Sequence, residues 1–121
     1  MRNGIAHRQV TEELFRLLAR DPAGTRVVSC HLGGGASVCA LRNGKSVDSS
    51  LGFTALDGLC MGTRPGALDP GVVLHLFQGL GLSAKDVETM LYRQSGLLGI
   101  SGISNDMRDL LPSDAPAARL A

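Results

Sequence analysis

The fold is decided by residues 26–48, which read RVVSCHLGGGASVCALRNGKSVD. Its first five residues are rich in β-branched side chains, which favour a buried strand. Residues 37–41 alternate between polar and apolar side chains, and Asn43-Gly44 is a residue pair that two-residue hairpin turns prefer. The pattern therefore predicts a strand, a glycine turn, a second strand, an Asn-Gly turn and a third strand over residues 45–50.

The glycine turn is the first candidate for a binding site. Gly33, Gly34 and Gly35 expose backbone N–H groups and allow close approach of another group, for which phosphate is the obvious candidate. The turn does not fit the P-loop or the dinucleotide pattern, because both require glycine where Val38 stands. The dinucleotide pattern also requires a helix after the turn, whereas a strand is predicted here. The residues alone leave a plain tight turn and an anion site both open.

Bulk composition is ordinary for one globular unit. The chain has 121 residues, a net charge of +1, 44% hydrophobic and 19% charged residues, which gives no electrostatic case for nucleic acid or an anionic membrane. No apolar run approaches the roughly twenty residues of a membrane span, and the N-terminus lacks a secretory signal. Cys30, Cys39 and Cys60 show neither disulfide nor metal-ligand spacing. We expect three buried thiols, a cytoplasmic protein and no metal ligand.

Helical periodicity appears before and after the predicted sheet. Residues 6–20 form the first predicted helix, and its apolar side chains on one face are expected to point inward: Val10, Leu14, Leu17 and Leu18. His7, in its first turn, is expected to be a helix-end or surface histidine. Asp69 as N-cap and Pro70 at the first position open a second helix to about residue 78, apolar almost all round and therefore expected to be buried.

The C-terminal third continues with shorter elements. Ser83 and Asp86 form a capping-box pattern that predicts a helix to about residue 94. Residues 95–102 are apolar and punctuated by glycine, which indicates an irregular buried segment. Ser104 or Asn105 is expected to cap a helix containing residues 106–111.

Several longer sequence motifs resemble those of the acetate kinase family. These are GKSVDSSLGFT, MGTRPG, LDP and SGLLGISGISNDMRDL, and HLGGGASVCALRNGKSVD resembles the family's phosphate loop. The resemblance runs from about Asn3 to Leu111. It implies an α/β fold of the actin and hexokinase (ribonuclease H-like) type. The expectation for residues 1–121 is a partial domain, a three-stranded antiparallel β-meander with flanking helices, with other parts of the family fold absent.

The resemblance also implies an activity. Acetate kinases transfer the γ-phosphate of ATP reversibly to acetate, giving acetyl phosphate and ADP, with Mg²⁺ bridging the phosphates. The full-length family is expected to be homodimeric. A different class of function stays open: a truncated, catalytically inactive remnant that binds phosphate or nucleotide weakly, or packs with a partner. Propionate or butyrate as the substrate also stays open.

Arg64 is the main catalytic candidate. It lies in a predicted non-helical loop between Gly62 and Gly66, where no amphipathic pattern gives an arginine a packing role. A planar guanidinium matches the charge that phosphoryl transfer spreads over three oxygens, and the resemblance implies the same transition-state role. A surface arginine is the alternative.

The remaining site residues follow from the resemblance. It places the phosphate loop at His31, Leu32, Gly33, Gly34 and Gly35, and part of the nucleotide site at Asp106, Met107 and Arg108. For His31 the alternative is a histidine that is hydrogen-bonded at the end of the sheet. For Asp106 and Arg108 the alternative is ordinary charge placement in the first turn of a helix.

Two residues depart from the family pattern. Asn3 stands where the family word HGTSHR begins with a histidine that stabilises the transferring phosphoryl group, and an amide cannot carry that positive charge. His7 matches the second histidine of the word. Gly34 stands where many relatives have asparagine, so one side-chain donor is lost while the backbone donors remain. Weaker phosphate contacts and reduced activity are expected.

Overall fold

The structure is a computed structural model that describes residues 2–121, and the side chains of residues 4–121. The architecture is α/β, as expected. The strands are β1 (Arg26–Leu32), β2 (Ala36–Arg42) and β3 (Lys45–Ser49). The helices of the described chain are α1 (Arg2–Leu17), α2 (Pro70–Gln78), α3 (Ala84–Arg93), α4 (Gly96–Ser101), α5 (Met107–Leu110) and α6 (Pro116–Leu120).

The three strands form one antiparallel meander in the order β1-β2-β3. Asn43 and Gly44 join β2 to β3 with φ angles of 54° and 71°. Two consecutive positive φ values define the primed turn that suits the twist of a hairpin, and Asn-Gly adopts it at low cost. The predicted β-meander is confirmed, with an irregularity in the β2–β3 pairing between Ala40 and Leu41.

Burial is concentrated on the central strand. Every side chain of β2 before Arg42 is buried or half-buried, whereas β3 is exposed throughout. The buried apolar residues come from β2, the loop after the sheet and four helices: Ala36, Cys39, Leu41, Met61, Leu76, Val87, Leu110 and Ala118. Cys30 and Cys60 are exposed. The expectation of three buried thiols is therefore wrong for two of them.

Helix α1 packs on β1, but not through its apolar stripe. Val10, Leu17 and Leu18 are 62%, 68% and 59% exposed, so the prediction that this face points inward is wrong. The residues that α1 buries are His7 and Thr11. Polar side chains point to the sheet here because β1 and β2 present serine hydroxyls on the facing side, where His7 finds its partners.

The two helices after the long loop begin as predicted. Asp69 caps α2 by accepting a hydrogen bond from the Gly71 N–H, and Ser83 and Asp86 form the capping box of α3. Leu76 is the buried residue of α2, so the expectation that this helix is buried all round is wrong.

The C-terminal elements differ in two places from expectation. Residues 96–101 form helix α4 rather than an irregular segment, although Gly96 and Ser101 are buried as expected. Asp106, rather than Ser104 or Asn105, caps α5, because its carboxylate reaches the Arg108 N–H. Within the described residues no helix has the length and apolar character to cross a membrane.

Candidate functional site

The glycine turn between β1 and β2 leaves an open space over its backbone. The Gly33 N–H donates to the Gly35 carbonyl at 2.9 Å and closes the turn. None of the three glycines has a left-handed φ. A β-carbon on Gly34 would meet nothing within 4 Å, and one on Gly33 would make only an ordinary contact of 3.7 Å with the Gly35 oxygen. Neither backbone strain nor packing within the described chain therefore requires glycine at positions 33 and 34.

Arg64 lies directly against this turn. Its Nη2 is 2.8 Å from the position that a β-carbon on Gly35 would occupy. Its Nη1 donates a hydrogen bond to the Ala55 carbonyl at 2.8 Å. No carboxylate of the described residues forms an ion pair with it. A half-buried guanidinium without a counter-charge thus faces the bare backbone of the turn.

The loop that carries Arg64 is held by its own backbone and by the start of α4. The Met61 N–H donates to the Arg64 carbonyl at 3.0 Å, and the Leu97 N–H donates to the Met61 carbonyl at 2.9 Å. Gly96, with φ of +64°, comes so close that a β-carbon there would lie 2.1 Å from the Met61 oxygen. Glycine at 96 is therefore required by a close backbone approach.

Gly62 joins the Arg64 loop to the glycine turn. Its N–H donates to the Gly34 carbonyl at 3.2 Å, and a β-carbon on Gly62 would lie 3.0 Å from the Asn105 oxygen. Three segments that are distant in sequence therefore meet at one point: the glycine turn, the Arg64 loop and the residues before α5.

A groove of ≈ 1170 Å³ opens beside this point. His31, Gly33, Gly34, Gly35 and Arg64 are among its lining residues. The structure thus brings together the sequence-predicted candidates for the phosphate loop and the candidate catalytic arginine. The groove extends along α1 and β3.

Four of the predicted binding residues do not line the groove: Leu32, Asp106, Met107 and Arg108. Leu32, the last residue of β1, is 75% exposed. Hydrogen bonds from the Arg108 side chain and backbone hold the pKa of the Asp106 carboxyl well below its usual value, at about 2. Asp106 serves as a helix cap that is ion-paired with Arg108, which matches the local alternative that the sequence left open.

A buried histidine on α1, His7, also lines the groove. His7 Nδ1 is 2.9 Å from Ser29 Oγ on β1, and His7 Nε2 is 2.9 Å from Ser37 Oγ on β2. Its ring lies edge-on to His31, with centroids 6.4 Å apart. Burial, and secondarily the charge of His31, lowers the pKa of His7 below 6.5. The prediction that His7 is a helix-end or surface histidine is therefore wrong.

Sequence reasoning missed other contributors to the site. Serines at 29 and 37 lie on the helix-facing side of the strands, and two hydroxyls at such positions are a signal that a polar partner covers them. Gly62 and Gly96 carried no comparable signal, because their close contacts are with residues far along the chain. The side chain of Asn3 lies outside the described residues.

The described residues contain no group of three His, Cys, Asp or Glu side chains that could hold a metal ion. Next to the glycine turn the polar groups of the groove are backbone amides, the His31 imidazole and the Arg64 guanidinium. The one carboxylate among the described lining residues, Glu12, is ion-paired with Arg8 at 2.7 Å. This donor set suits an anion and does not suit a hard cation such as Mg²⁺, which prefers carboxylate and other oxygen ligands.

Comparison with known proteins adds independent findings. The family model of the Acetokinase family matches residues 2–119. The acetate kinase of Nitrobacter hamburgensis is 51% identical over 119 residues, which are 98% of this chain and 29% of that protein. The solved Porphyromonas gingivalis acetate kinase matches with a TM-score of 0.86 and 41% identity, over 94% of this chain and 29% of its own. A propionate kinase from Francisella tularensis matches with a TM-score of 0.88 and 41% identity, over 98% of this chain and 31% of its own. The chain thus spans about three-tenths of the length of these relatives.

Proposed function

Because this chain belongs to the acetokinase family, we propose that it carries the phosphate-binding part of an acetate kinase-type phosphotransferase. The resemblance inferred from the sequence words is confirmed, and so is the α/β fold. In the proposed reaction the γ-phosphate of ATP passes reversibly to acetate, giving acetyl phosphate and ADP. The observation that supports it most directly is the Arg64 guanidinium held against the open glycine turn.

The glycine turn would hold phosphate oxygens through its backbone. The Gly33 N–H is used inside the turn, whereas the N–H groups of Gly34 and Gly35 have no acceptor among the described residues. These two donors are therefore the ones that we assign to the nucleotide phosphates. His31 lies exposed beside them at the end of β1 and adds a ring N–H within the same groove. Together they form a small anion-binding concavity.

Arg64 would stabilise the transition state. One of its five side-chain N–H donors is engaged by Ala55, and the side chain makes no other hydrogen bond or ion pair with the described residues. When a carboxylate oxygen of acetate attacks the γ-phosphate in line, negative charge spreads over the equatorial oxygens, which a planar guanidinium can match. Removing one such pre-oriented donor typically lowers the rate by about 10²–10³.

Other parts of the proposal rest on the family. ATP is the proposed phosphate donor, and Mg²⁺ would lower the charge on its phosphates, although no described residue is assigned to the ion. Asp106, Met107 and Arg108 stay assigned to the nucleotide site on the resemblance alone. Residues 1–121 are proposed to be a partial domain of a cytoplasmic protein that is homodimeric in its full-length form. Acetate is the proposed acyl substrate, and propionate and butyrate are the alternatives to be assayed beside it.

The test compares ATP binding and turnover by three versions of the chain: wild type, Arg64→Ala and Arg16→Ala. Arg16 is a matched control, because it is ion-paired with Glu13 on the outside of α1 and does not line the groove. Calorimetry should show ATP binding to the wild type and to Arg16→Ala, and weaker binding to Arg64→Ala. No ATP binding by the wild type, or equal binding by all three, would contradict the proposal.

A second candidate function is a non-catalytic remnant that binds nucleotide weakly or packs with a partner. The exposed apolar side chains of α1 and α2 favour it, because surfaces of this kind usually mark a contact with another body. A coupled assay of ATP-dependent acetyl phosphate formation separates the two functions. If the isolated chain, or the chain with a complementing domain, forms acetyl phosphate, the enzyme function is favoured. If ATP binds but no acetyl phosphate forms, the non-catalytic remnant is favoured.

A further inference from the structure

The three glycines of the turn lack a side chain for different reasons. Positions 33 and 34 have room for a β-carbon, as described above. Position 35 does not, since a β-carbon there would lie 2.8 Å from Arg64 Nη2 and 3.6 Å from Arg64 Cζ. Gly35 has no left-handed φ, so its backbone conformation is one that alanine can adopt. The group that excludes a side chain at position 35 is therefore the guanidinium itself.

We propose that Gly35 is a positioning residue for Arg64. The missing β-carbon lets Nη2 of the guanidinium come close to the turn, while the Ala55 carbonyl, 2.8 Å from Nη1, holds the second terminal nitrogen. This inference rests on the proposed role of Arg64 in binding and transferring phosphate. The physical effect is pre-organisation. A long, flexible side chain that is held at two points has already lost its rotamer freedom before the substrate binds.

A methyl group at position 35 should displace the Arg64 side chain and disturb few other groups. A separation of 2.8 Å is too short for a carbon–nitrogen contact, so one of the two groups must move, and the flexible end of Arg64 moves more easily than the backbone of the turn. The hydrogen bond to Ala55 would then lengthen or break. We expect Gly35→Ala to fold, and to bind ATP about 10- to 100-fold more weakly because one charged, oriented donor is displaced.

A double-mutant cycle separates this role from a direct effect of the added methyl group on phosphate bound at the Gly35 N–H. Calorimetric ATP titrations are compared for the wild type, Gly35→Ala, Arg64→Ala and the double variant. If Gly35 acts through Arg64, Gly35→Ala should change affinity by less than about 2-fold once Arg64 is alanine. An equal loss in both backgrounds would overturn the proposal.

A second measurement needs no ligand and so distinguishes this proposal from the proposed function. In ¹⁵N-labelled protein the Arg64 Nε–Hε signal should move in Gly35→Ala and stay in place in Gly34→Ala, whose β-carbon meets nothing within 4 Å. The wild type should also show a nuclear Overhauser effect between the Gly35 α-protons and Arg64. If the signal moves although ATP does not bind, the proposed function fails and the positioning role stands.

An Arg64 signal unchanged in Gly35→Ala would overturn the positioning role whatever the affinity for ATP. Should Gly35→Ala fail to fold, the wild-type Overhauser effect decides the question alone. Its presence supports the contact, and its absence overturns it.

Discussion

At the residue scale, His7 joins one helix to both strands that flank the glycine turn. Its two ring nitrogens are each 2.9 Å from a serine hydroxyl, one on β1 and one on β2. A neutral imidazole has one donor and one acceptor nitrogen, and serine hydroxyls can accept or donate, so the uncharged ring can satisfy both bonds. The lowered pKa of His7 is consistent with this arrangement. The histidine thus links α1 to the two strands that carry the glycine turn, and it lines the same groove.

The first prediction concerns pH. Because burial lowers the pKa of His7 below its unfolded value of 6.5, the unfolded state binds a proton more readily than the folded state does. The contribution of His7 to the free energy of unfolding is therefore complete above pH 6.5, and it declines as the pH falls from there towards the lower folded pKa. Urea unfolding at pH 7.5 and pH 5.5 should show this decline in the wild type.

Two variants identify the group responsible. His7→Gln should lose about 1–3 kcal/mol at pH 7.5, because its buried serine partners lose their bonds, and it should show a smaller decline at pH 5.5. His75→Gln is the control, since His75 is exposed at the end of α2, and it should keep the wild-type decline. A decline of the same size in His7→Gln and the wild type would show that another group titrates.

The second prediction concerns Gly34. A side chain at this position meets nothing within 4 Å, and the backbone has no left-handed φ. Gly34→Asn should therefore leave the free energy of unfolding within about 0.5 kcal/mol of the wild type. The added amide donor lies at the open side of the turn, so ATP binding measured by calorimetry should become tighter. Weaker binding would indicate that bare backbone is needed at position 34 as well.

At the scale of elements, the short helix α4 fixes the loop that carries Arg64. Its first residue, Gly96, lies against Met61 and the Arg64 backbone, and the Leu97 and Leu98 N–H groups donate to the carbonyls of Met61 and Gly62. The free N–H groups at the start of a helix are thereby satisfied by loop carbonyls. These contacts determine the path of the loop, and the path of the loop places the guanidinium at the turn.

The third prediction tests this contact with two glycines that have the same backbone conformation. Gly96 and Gly102, at the two ends of α4, have φ of +64° and +65°. Gly102→Ala should lower the free energy of unfolding by about 1–2 kcal/mol for the left-handed conformation alone, because a β-carbon there meets nothing within 4 Å. Alanine at 96 should cost about 1–3 kcal/mol more, because it also collides with backbone. Chemical denaturation measures the free energy of unfolding of both variants. Equal losses would show that the close contact between Gly96 and Met61 relaxes at little cost.

At the scale of the whole molecule, the core is small and the apolar surface is large. The buried apolar residues come from the central strand, the Met61 loop and helices α2, α3, α5 and α6, whereas the apolar stripe of α1 and most of α2 are exposed. The chain spans about three-tenths of the length of its relatives. We therefore expect its stability to depend on a few buried positions.

The fourth prediction compares two leucines. Leu110 on α5 is 2% exposed, and Leu17 on α1 is 68% exposed. Leu110→Ala should lower the free energy of unfolding by about 2–5 kcal/mol, because it leaves a cavity in a packed core. Leu17→Ala should change it by less than about 0.5 kcal/mol. Urea unfolding of both variants measures the difference, and a large loss in Leu17→Ala would show that this face is covered in solution.

The site was predictable only as a set of separate parts. The sequence pointed to His31, to Gly33–Gly35 and to Arg64 because the turn is bare and the arginine has no packing role, and the structure places these residues along one groove. It did not show that Gly35 touches Arg64, or that Ala55 holds the other side. Asp106 and Arg108 were as prominent in the sequence, yet they pair with each other and do not line the groove.

The sequence by itself determined the order of the strands, the Asn43-Gly44 turn and the caps at Asp69 and Ser83. These features depend on residues close together in the chain, whose backbone preferences and hydrogen bonds act locally. Tertiary structure decided which faces are covered and where the charged and polar side chains meet. His7 reaches serines 22 and 30 residues away. Such contacts depend on how distant segments pack in space, and no local pattern encodes that packing.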